Sequence, residues 1–272
     1  MPELSPKPVV LKVGGSAITF KDKPLTPNLR AMKRLAGEIR RAEVSNLIIV
    51  HGGGSFGHPI AKEYAIKDGF KTENQNIGFC WTHNAMVTLN SLFVNALIQN
   101  GVCAVTVAPS SCILTKQGRI RIFQDKALTK LLEKGFVPVL YGDAVIDLAK
   151  GFTILSGDQL VSNLAIKFEA ERIVVGVDVD GLYTADPKTN SSAKLIKKVT
   201  LEKLKQLQKD VGGSQTVDVT GGMFGKIREL TSAVEKGIPV LIVNAAKPNR
   251  IYKALKNEKV LGTHISRGEN NH

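Results

Sequence analysis

The chain has 272 residues, of which 43% are hydrophobic and 22% charged, and a formal net charge of +13. These proportions exclude a disordered chain, and no apolar run reaches the length of a transmembrane helix. The net charge makes nucleic acid a candidate partner. The basic residues are scattered, however, and only 6% of the residues are aromatic, which is too few for base stacking. We therefore expect no nucleic-acid or membrane partner, and a basic surface that attracts a phosphorylated small molecule.

The cysteines and the N-terminus indicate the compartment. Three cysteines without CxxC spacing predict neither a disulfide framework nor a zinc site. The N-terminal residues 1–6 lack the basic and apolar regions of a signal peptide. We expect a cytoplasmic protein.

The first predicted unit is a strand, a helix and a second strand. Val9–Val13 is an apolar strand interrupted by Lys12 and followed by two glycines. Thr26 is predicted to cap a helix over 27–43, with proline at its first position. Leu47–Val50 is the second strand. Both strands run into glycines, so this βαβ unit carries two anion-facing turns at the same end.

The second glycine turn is the richest motif of the chain. Four glycines and two histidines lie within His51–Pro59, and a helix is predicted over Ile60–Ile66. Glycine permits close approach of backbone to a ligand, and a helix N-terminus presents N–H groups to an anion. Because His51 ends the strand, we assign it a structural role, whereas His58 lies one turn into the helix or just before it.

The rest of the chain alternates helices and strands. The predicted helices cover 75–100, 126–134, 156–168, 201–209, 223–236 and 248–256, and the strands 102–107, 120–123, 137–141, 172–177, 238–243 and 260–265, with a hairpin of 145–147 and 152–155. This alternation predicts a three-layer α/β/α sandwich with an open, mainly parallel central sheet. A soft boundary at 166–171 divides the chain into two lobes that share this sheet.

Several predicted strand ends combine glycines with charged side chains. Loops 12–16, 52–58, 156–158 and 220–226 suit phosphate, lysines lie in or beside them, and Asp158, Asp178 and Asp180 lie at helix starts or strand ends. Positioning two anions and offsetting their charge is the requirement of phosphoryl transfer. The P-loop and protein-kinase signatures are absent, and the glycine spacing does not fit a dinucleotide fold.

Five motifs in this order resemble the amino acid kinase superfamily and, within it, the isopentenyl phosphate kinases. They are Lys12-Val-Gly-Gly-Ser16, His51-Gly-Gly-Gly-Ser-Phe-Gly-His58, Ser156-Gly-Asp158, Asp178-Val-Asp-Gly-Leu-Tyr183 and Asp218-Val-Thr-Gly-Gly-Met223. The resemblance implies one amino acid kinase-like domain over 1–272, with an acceptor-binding lobe 1–168 and a nucleotide-binding lobe 169–272. It also implies transfer of the γ-phosphoryl group of ATP to isopentenyl phosphate, with Mg²⁺, in a homodimer of the archaeal-type mevalonate route.

The resemblance assigns roles to individual residues. The implied catalytic residues are Lys12, Lys21, His58, Asp158 and Lys226. The implied acceptor-binding residues are Gly53, Gly54, Ser55, His58 and Gly157. The implied ATP-binding residues are Lys12, Gly14, Gly15, Lys21, Asp178, Asp180, Gly181, Tyr183, Gly222, Met223 and Lys226. No residue is assigned as a metal ligand.

Three positions are left open. Lys21 matches the family's loop lysine by spacing, but Phe20 replaces its acidic neighbour, so Lys23 is a rival for the γ-phosphate. Gln159 replaces a second acid found in some relatives. The isoprenoid tail needs an apolar slot, for which the helix 75–100 offers Ile77, Phe79 or Met86.

Four other functions remain open. A sister kinase that phosphorylates another small phosphate or phosphonate, such as fosfomycin, would keep His58. An amino-acid acceptor would have no evident need for this histidine. A non-catalytic nucleotide or anion binder would not need four charged residues such as Lys12, Lys21, Asp158 and Lys226. Nucleic-acid binding rests on the net charge alone.

Overall fold

The computed structural model describes residues 6–187, 189–210 and 223–268. The strands are β1 Val9–Val13, β2 Leu47–His51, β3 Ala104–Thr106, β4 Ile113–Lys116, β5 Arg119–Phe123, β6 Val137–Tyr141, β7 Asp143–Asp147, β8 Gly151–Leu155, β9 Arg172–Val177, β10 Leu182–Tyr183, β11 Leu195–Ile196, β12 Lys198–Thr200, β13 Val240–Asn244 and β14 Gly262–Ser266. The helices are α1 Gly15–Ile18, α2 Leu29–Ala42, α3 Gly54–Glu63, α4 Asn74–Gln99, α5 Pro109–Cys112, α6 Lys126–Glu133, α7 Gly157–Lys167, α8 Leu201–Asp210, α9 Met223–Glu235 and α10 Arg250–Leu255.

The residue pattern of β1 explains the layers. Val9, Leu11 and Val13 belong to a hydrophobic core shared with α2, α4 and α10, whereas Val10 belongs to a second core shared with α7 and α9. Successive side chains of a strand point to opposite faces of a sheet. Helices therefore cover both faces, and Lys12 is on the same face as Val10, toward α7.

The central sheet has eight strands in the order β12-β14-β13-β9-β1-β2-β6-β3. The pairs of β1 with β2 and β9, and of β2 with β6, are parallel, whereas β13 pairs with β14 antiparallel. The predicted fold class is confirmed. Because parallel strands end at the same edge, this topology brings together the turns after β1, β2, β6 and β9.

A second sheet has the strand order β5-β4-β7-β8. The predicted hairpin of β7 and β8 forms, pairing Asp143 with Leu155 at its open end. Strand β4, which pairs with both β5 and β7, was not predicted. Only four residues long and half apolar, this strand has too short a pattern for recognition.

Two local predictions are wrong. Asn28, not Thr26, caps α2: its side chain accepts a hydrogen bond from the Ala31 N–H at 3.0 Å, and the Thr26 hydroxyl instead donates to the Pro24 carbonyl. Helix α3 begins at Gly54, inside the glycine run rather than after it. Tertiary packing overrides the low helix propensity of glycine there.

No helix in the described ranges has the length and apolarity required to cross a membrane. The predicted turn at 212–214, most of the motif Asp218–Met223 and the end of the polar tail lie outside the described residues.

Candidate active site

The two glycine turns lie against each other. A Cβ atom on Gly15 would be 2.1 Å from the amide nitrogen of Gly54, and Gly54 has a positive φ of 51°. The Thr19 hydroxyl joins the turns, because it donates to the Gly15 carbonyl at 2.9 Å and accepts from the Ser55 N–H at 3.1 Å. Glycine is required at both positions because any side chain would separate the helix starts.

A cavity of about 450 Å³ opens where the turns meet. Thirteen of the predicted site residues line it: Lys12, Gly14, Gly15, Lys21, Gly53, Gly54, Ser55, His58, Gly157, Asp158, Asp178, Met223 and Lys226. Asp180, Gly181 and Tyr183 do not line it; they lie on the chain after β9, where Asp180 accepts a hydrogen bond from Asn244 at 3.1 Å. Gly222 lies outside the described residues.

Lys12 and Asp158 form the central ion pair of the cavity. The Lys12 ammonium donates to Oδ1 of Asp158, which lies in the first turn of α7. The lysine is 3% exposed, and this burial, together with nearby Lys226, lowers its pKa, whereas Asp158 opposes the shift. A buried cation held by one carboxylate is a strong attractor for an anionic ligand.

The loop lysines occupy different positions. The Lys21 ammonium donates to Oδ2 of Asp178 at 3.1 Å and lines the cavity. Lys23 is exposed and does not line it. The loop is fixed at Leu25, whose N–H donates to the Ser55 carbonyl at 3.1 Å. The geometry therefore favours Lys21 over its rival.

His58 lies in the second turn of α3, close to two lysines. Burial lowers its pKa, and the positive charges of Lys226 and Lys12 lower it further, whereas Asp158 opposes them. Without a ligand the imidazole is therefore neutral at neutral pH. A bound phosphate would reverse this electrostatic effect, since an adjacent anion favours the protonated ring.

His51, the other histidine of the motif, is fully buried. Its Nδ1 donates to the Gly52 carbonyl and its Nε2 accepts from the Asn90 amide, both at 3.1 Å, and its ring stacks on Tyr141. Burial lowers its pKa to about 4. With both nitrogens bonded and the ring in the core, His51 positions the end of β2 and does not line the cavity.

Part of the cavity lining is apolar, and we call this part its apolar end. It consists of Ala61 of α3, Met86 of α4, and Ile154 and Leu155 of β8. The Met86 sulfur would be 2.7 Å from a Cβ on Gly57 and 3.1 Å from one on Gly53, so the small residues of α3 make room for it. Of the suggested slot residues, Met86 lines the cavity, whereas Ile77 is 47% exposed and Phe79 packs on Phe152.

Two polar residues in this region were not predicted as site residues. Asp143, which lines the cavity, is buried and accepts from Nδ1 of His83 at 3.0 Å and from the Ser110 N–H at 3.4 Å. Burial raises the pKa of Asp143, and its hydrogen bond raises the pKa of His83. His83 of α4 thus holds the Asp143 carboxylate. The sequence signal for Asp143 is its place directly after the predicted strand 137–141 and Gly142, and its partners come from distant elements.

Several backbone and hydroxyl groups can receive an anion. In the described part of the chain, the buried hydroxyl of Ser55 has no hydrogen-bond partner. The first N–H groups of a helix have no intrahelical acceptor, although the Ser55 N–H at the start of α3 is already donated to Thr19 and the Gln159 N–H of α7 to Ser156. The Gly14 N–H is already donated to the Gly176 carbonyl at 2.8 Å, so of the first glycine pair only Gly15 can offer its amide.

A metal ion in the cavity would need acidic, histidine or cysteine side chains as ligands. Among the residues that the structure describes, no three His, Cys, Asp or Glu side chains come together. Asp158 and Asp178 both face lysines. Mg²⁺ is typically held by one or two carboxylates and by substrate phosphates, so these residues fit an ion that arrives with a nucleotide rather than a resident one.

Curated relatives are similar to this chain over nearly its whole length. An isopentenyl phosphate kinase of Methanothermobacter thermautotrophicus is 42% identical over 266 residues, which cover 95% of this chain and 98% of the relative. One of Methanocaldococcus jannaschii is 36% identical over 96% of this chain and 99% of the relative.

A solved isopentenyl phosphate kinase structure superposes with a TM-score of 0.84 at 40% identity, over 95% of this chain and 100% of the other. The sequence model of the amino acid kinase family matches residues 7–244. The resemblance predicted from the five motifs is confirmed, and this chain belongs to the amino acid kinase family.

Proposed function

We propose that this protein transfers the γ-phosphoryl group of ATP to isopentenyl phosphate, giving ADP and isopentenyl diphosphate. The observation that carries the proposal is one cavity whose lining combines a cluster of cationic and imidazole side chains with apolar ones. Lys12, Lys226 and His58 line it, and so do Met86 and Ile154. A phosphate with a short hydrocarbon tail has both of these parts. The isopentenyl phosphate kinases that resemble the chain over its whole length support the same substrate.

The proposed reaction joins two anions. A phosphate oxygen of the acceptor attacks the γ-phosphorus, and the bond from that phosphorus to the bridging oxygen of ADP breaks. The attacking oxygen is already ionised, so no base has to remove a proton. The protein therefore acts by placing cations and backbone dipoles around the transferring group. Lys12 would contact that group, and Asp158 would orient the lysine.

The glycine turns would hold the two phosphates. The Gly15 amide and Lys21 would contact the donor. The amides of Gly53, Gly54 and Gly157, with the Ser55 hydroxyl and His58, would contact the acceptor phosphate. Lys226 would lie beside the transferring group, where it already shifts the pKa of both Lys12 and His58. Mg²⁺, carried by the nucleotide, would neutralise phosphate charge.

The lobes, the adenosine contacts, the assembly and the compartment are further parts of the proposal. The lobe of residues 1–168 would bind the acceptor and also supply the Gly15 amide and Lys21 to the donor phosphates. The lobe of residues 169–272 would bind the rest of the nucleotide, with Asp180, Gly181 and Tyr183 outside the cavity. From the family resemblance we expect a homodimer, and light scattering on a sizing column would detect it. Three free cysteines support a reducing, cytoplasmic location.

The direct test is ADP release with four acceptors: isopentenyl phosphate, dimethylallyl phosphate, fosfomycin and N-acetylglutamate. We expect the two prenyl phosphates to turn over, because only they match both ends of the cavity. Turnover with fosfomycin alone would identify a phosphonate kinase. No turnover above background with isopentenyl phosphate would contradict the proposal.

A further inference from the structure

The hairpin of β4 and β5 is tied to the first turn of α7. Gln159, directly after Asp158, uses both ends of its amide for this contact. Its Oε1 accepts from the Ile120 N–H and its Nε2 donates to the Gly118 carbonyl, both at 2.9 Å. Gln159 is 7% exposed. Gln159 therefore anchors this neighbouring hairpin.

The turn of this hairpin is fixed from its other side by Asp147. The buried carboxylate accepts from the Gly118 N–H at 2.7 Å and from the Thr115 hydroxyl at 2.8 Å. Although burial raises the pKa of Asp147, its hydrogen bonds with backbone amides and Thr115 lower it to about 2. Two side chains from different elements thus hold the turn, and such doubly anchored backbone is rigid.

Arg119 is the first residue after this turn and reaches the other half of the molecule. Its guanidinium donates to Glu229 of α9 through two parallel bonds, Nη1 to Oε1 at 2.7 Å and Nη2 to Oε2 at 2.9 Å. The Glu229 side chain is only 18% exposed. A fork of this kind fixes direction as well as distance, which a lysine cannot do.

Glu229 lies three residues after Lys226 on the same helix, so the two are neighbours on its surface. Lys226 lines the cavity near Lys12 and His58 and lowers the pKa of both. Buried Ile227, Leu230 and Val234 pack α9 into the core shared with α7. Arg119 adds a directional polar contact to this helix, three residues from the lysine.

We propose that Arg119 is a positioning residue that, through Glu229, sets the place of Lys226 relative to the ion pair of Lys12 and Asp158. The connection runs from the first turn of α7 through Gln159 to the hairpin, and from Arg119 to α9. The part of this proposal that is tested by turnover rests on the proposed function. The hairpin thereby couples the acceptor side of the cavity to the helix proposed to flank ATP.

The test compares Arg119→Gln with Arg121→Gln. Arg121 is two residues along the same strand and exposed, so the control removes the same charge from the same region. We expect Arg119→Gln to lower kcat about five- to tenfold, with the KM of the acceptor within about twofold of the wild type. Arg119→Lys should recover part of the rate because it keeps one donor. Arg121→Gln should match the wild type.

A second measurement does not depend on turnover. Amide hydrogen exchange in the first turns of α9 should accelerate in Arg119→Gln and in Glu229→Gln, and the double variant should add nothing further. Unchanged exchange and unchanged kcat in Arg119→Gln would overturn the proposal. So would faster exchange throughout the protein with a matching loss of Tm, since this would assign Arg119 to overall stability. If the wild type lacks turnover, the proposed function fails, whereas exchange in α9 still decides the role of Arg119.

Discussion

The charged end and the apolar end of the cavity are built in different ways. The charged end combines turns that follow parallel strands of the central sheet with the first turn of α7, which follows β8 of the second sheet. Lys12 lies one residue before the end of β1, and Asp158 lies in that turn of α7. The apolar end is assembled from α3, α4 and β8, with no shared motif. Charge placement thus depends on backbone geometry, whereas the slot depends on how separate elements pack. The two ends should respond differently to mutation.

The largest effect is expected at the charged end. Lys12→Gln should lower kcat about 10³-fold, because it removes a preorganised charge beside the transferring group. Steady-state kinetics and thermal unfolding would measure the effect and check the fold. A loss below about tenfold in kcat would place Lys12 outside the reaction.

A variant of His58 tests the proposed contact with the acceptor phosphate. His58→Ala should reduce kcat/KM about 10²-fold with the fold intact, since it removes a contact to the acceptor phosphate. Because a bound anion favours the protonated ring, whose pKa is lowered in the free protein, acceptor binding should take up a proton. The KM of the acceptor should therefore rise more steeply with pH in the wild type than in His58→Asn. Equal pH profiles would contradict this linkage.

The two loop lysines form a matched pair. Lys21→Ala should lower kcat/KM for ATP about tenfold, because its ammonium is held at the cavity by Asp178. Lys23→Ala, with the same change of charge on an exposed side chain, should have no effect. The reverse result would move the γ-phosphate contact to Lys23.

The apolar end should show a smaller and more selective effect. Ile154→Ala should raise the KM of isopentenyl phosphate about tenfold, since it removes roughly 1–2 kcal/mol of apolar contact. The KM of ATP should stay the same, and this difference is the measurement. An equal rise in both values would show that the two ends are not separate.

The smallest expected effect concerns stability. The pKa of His83 is raised by its hydrogen bond with Asp143, so the folded state gains stability below the unfolded pKa of about 6.5 and loses it as pH rises through the folded value. The loss should be at most about 1 kcal/mol, since the ring is partly exposed. Urea unfolding between pH 6 and 9 should show it in the wild type and not in His83→Gln.

The sequence was sufficient for the fold class and most elements, because long alternating patterns survive packing. It also predicted that Lys12 and the two glycine turns would meet where strands end, and the structure places them around one cavity. The roles of the lysines and of His58 stay predictions. The sequence did not identify Asn28 as the cap of α2, because Thr26 and Asn28 are both capping residues and lie within three positions of each other. It missed β4 because four residues are too few for a periodic pattern.

By itself, therefore, the sequence determined that strands ending in glycines would bring backbone turns and cations together at one edge of the sheet. The tertiary structure alone decided which lysine of the loop reaches the cavity, that Met86 lines its apolar end while Ile77 faces solvent, and that Arg119 meets Glu229. The reason is physical. A turn after a strand is a local property of the chain, whereas contacts between residues separated by 110 positions depend on how whole elements pack.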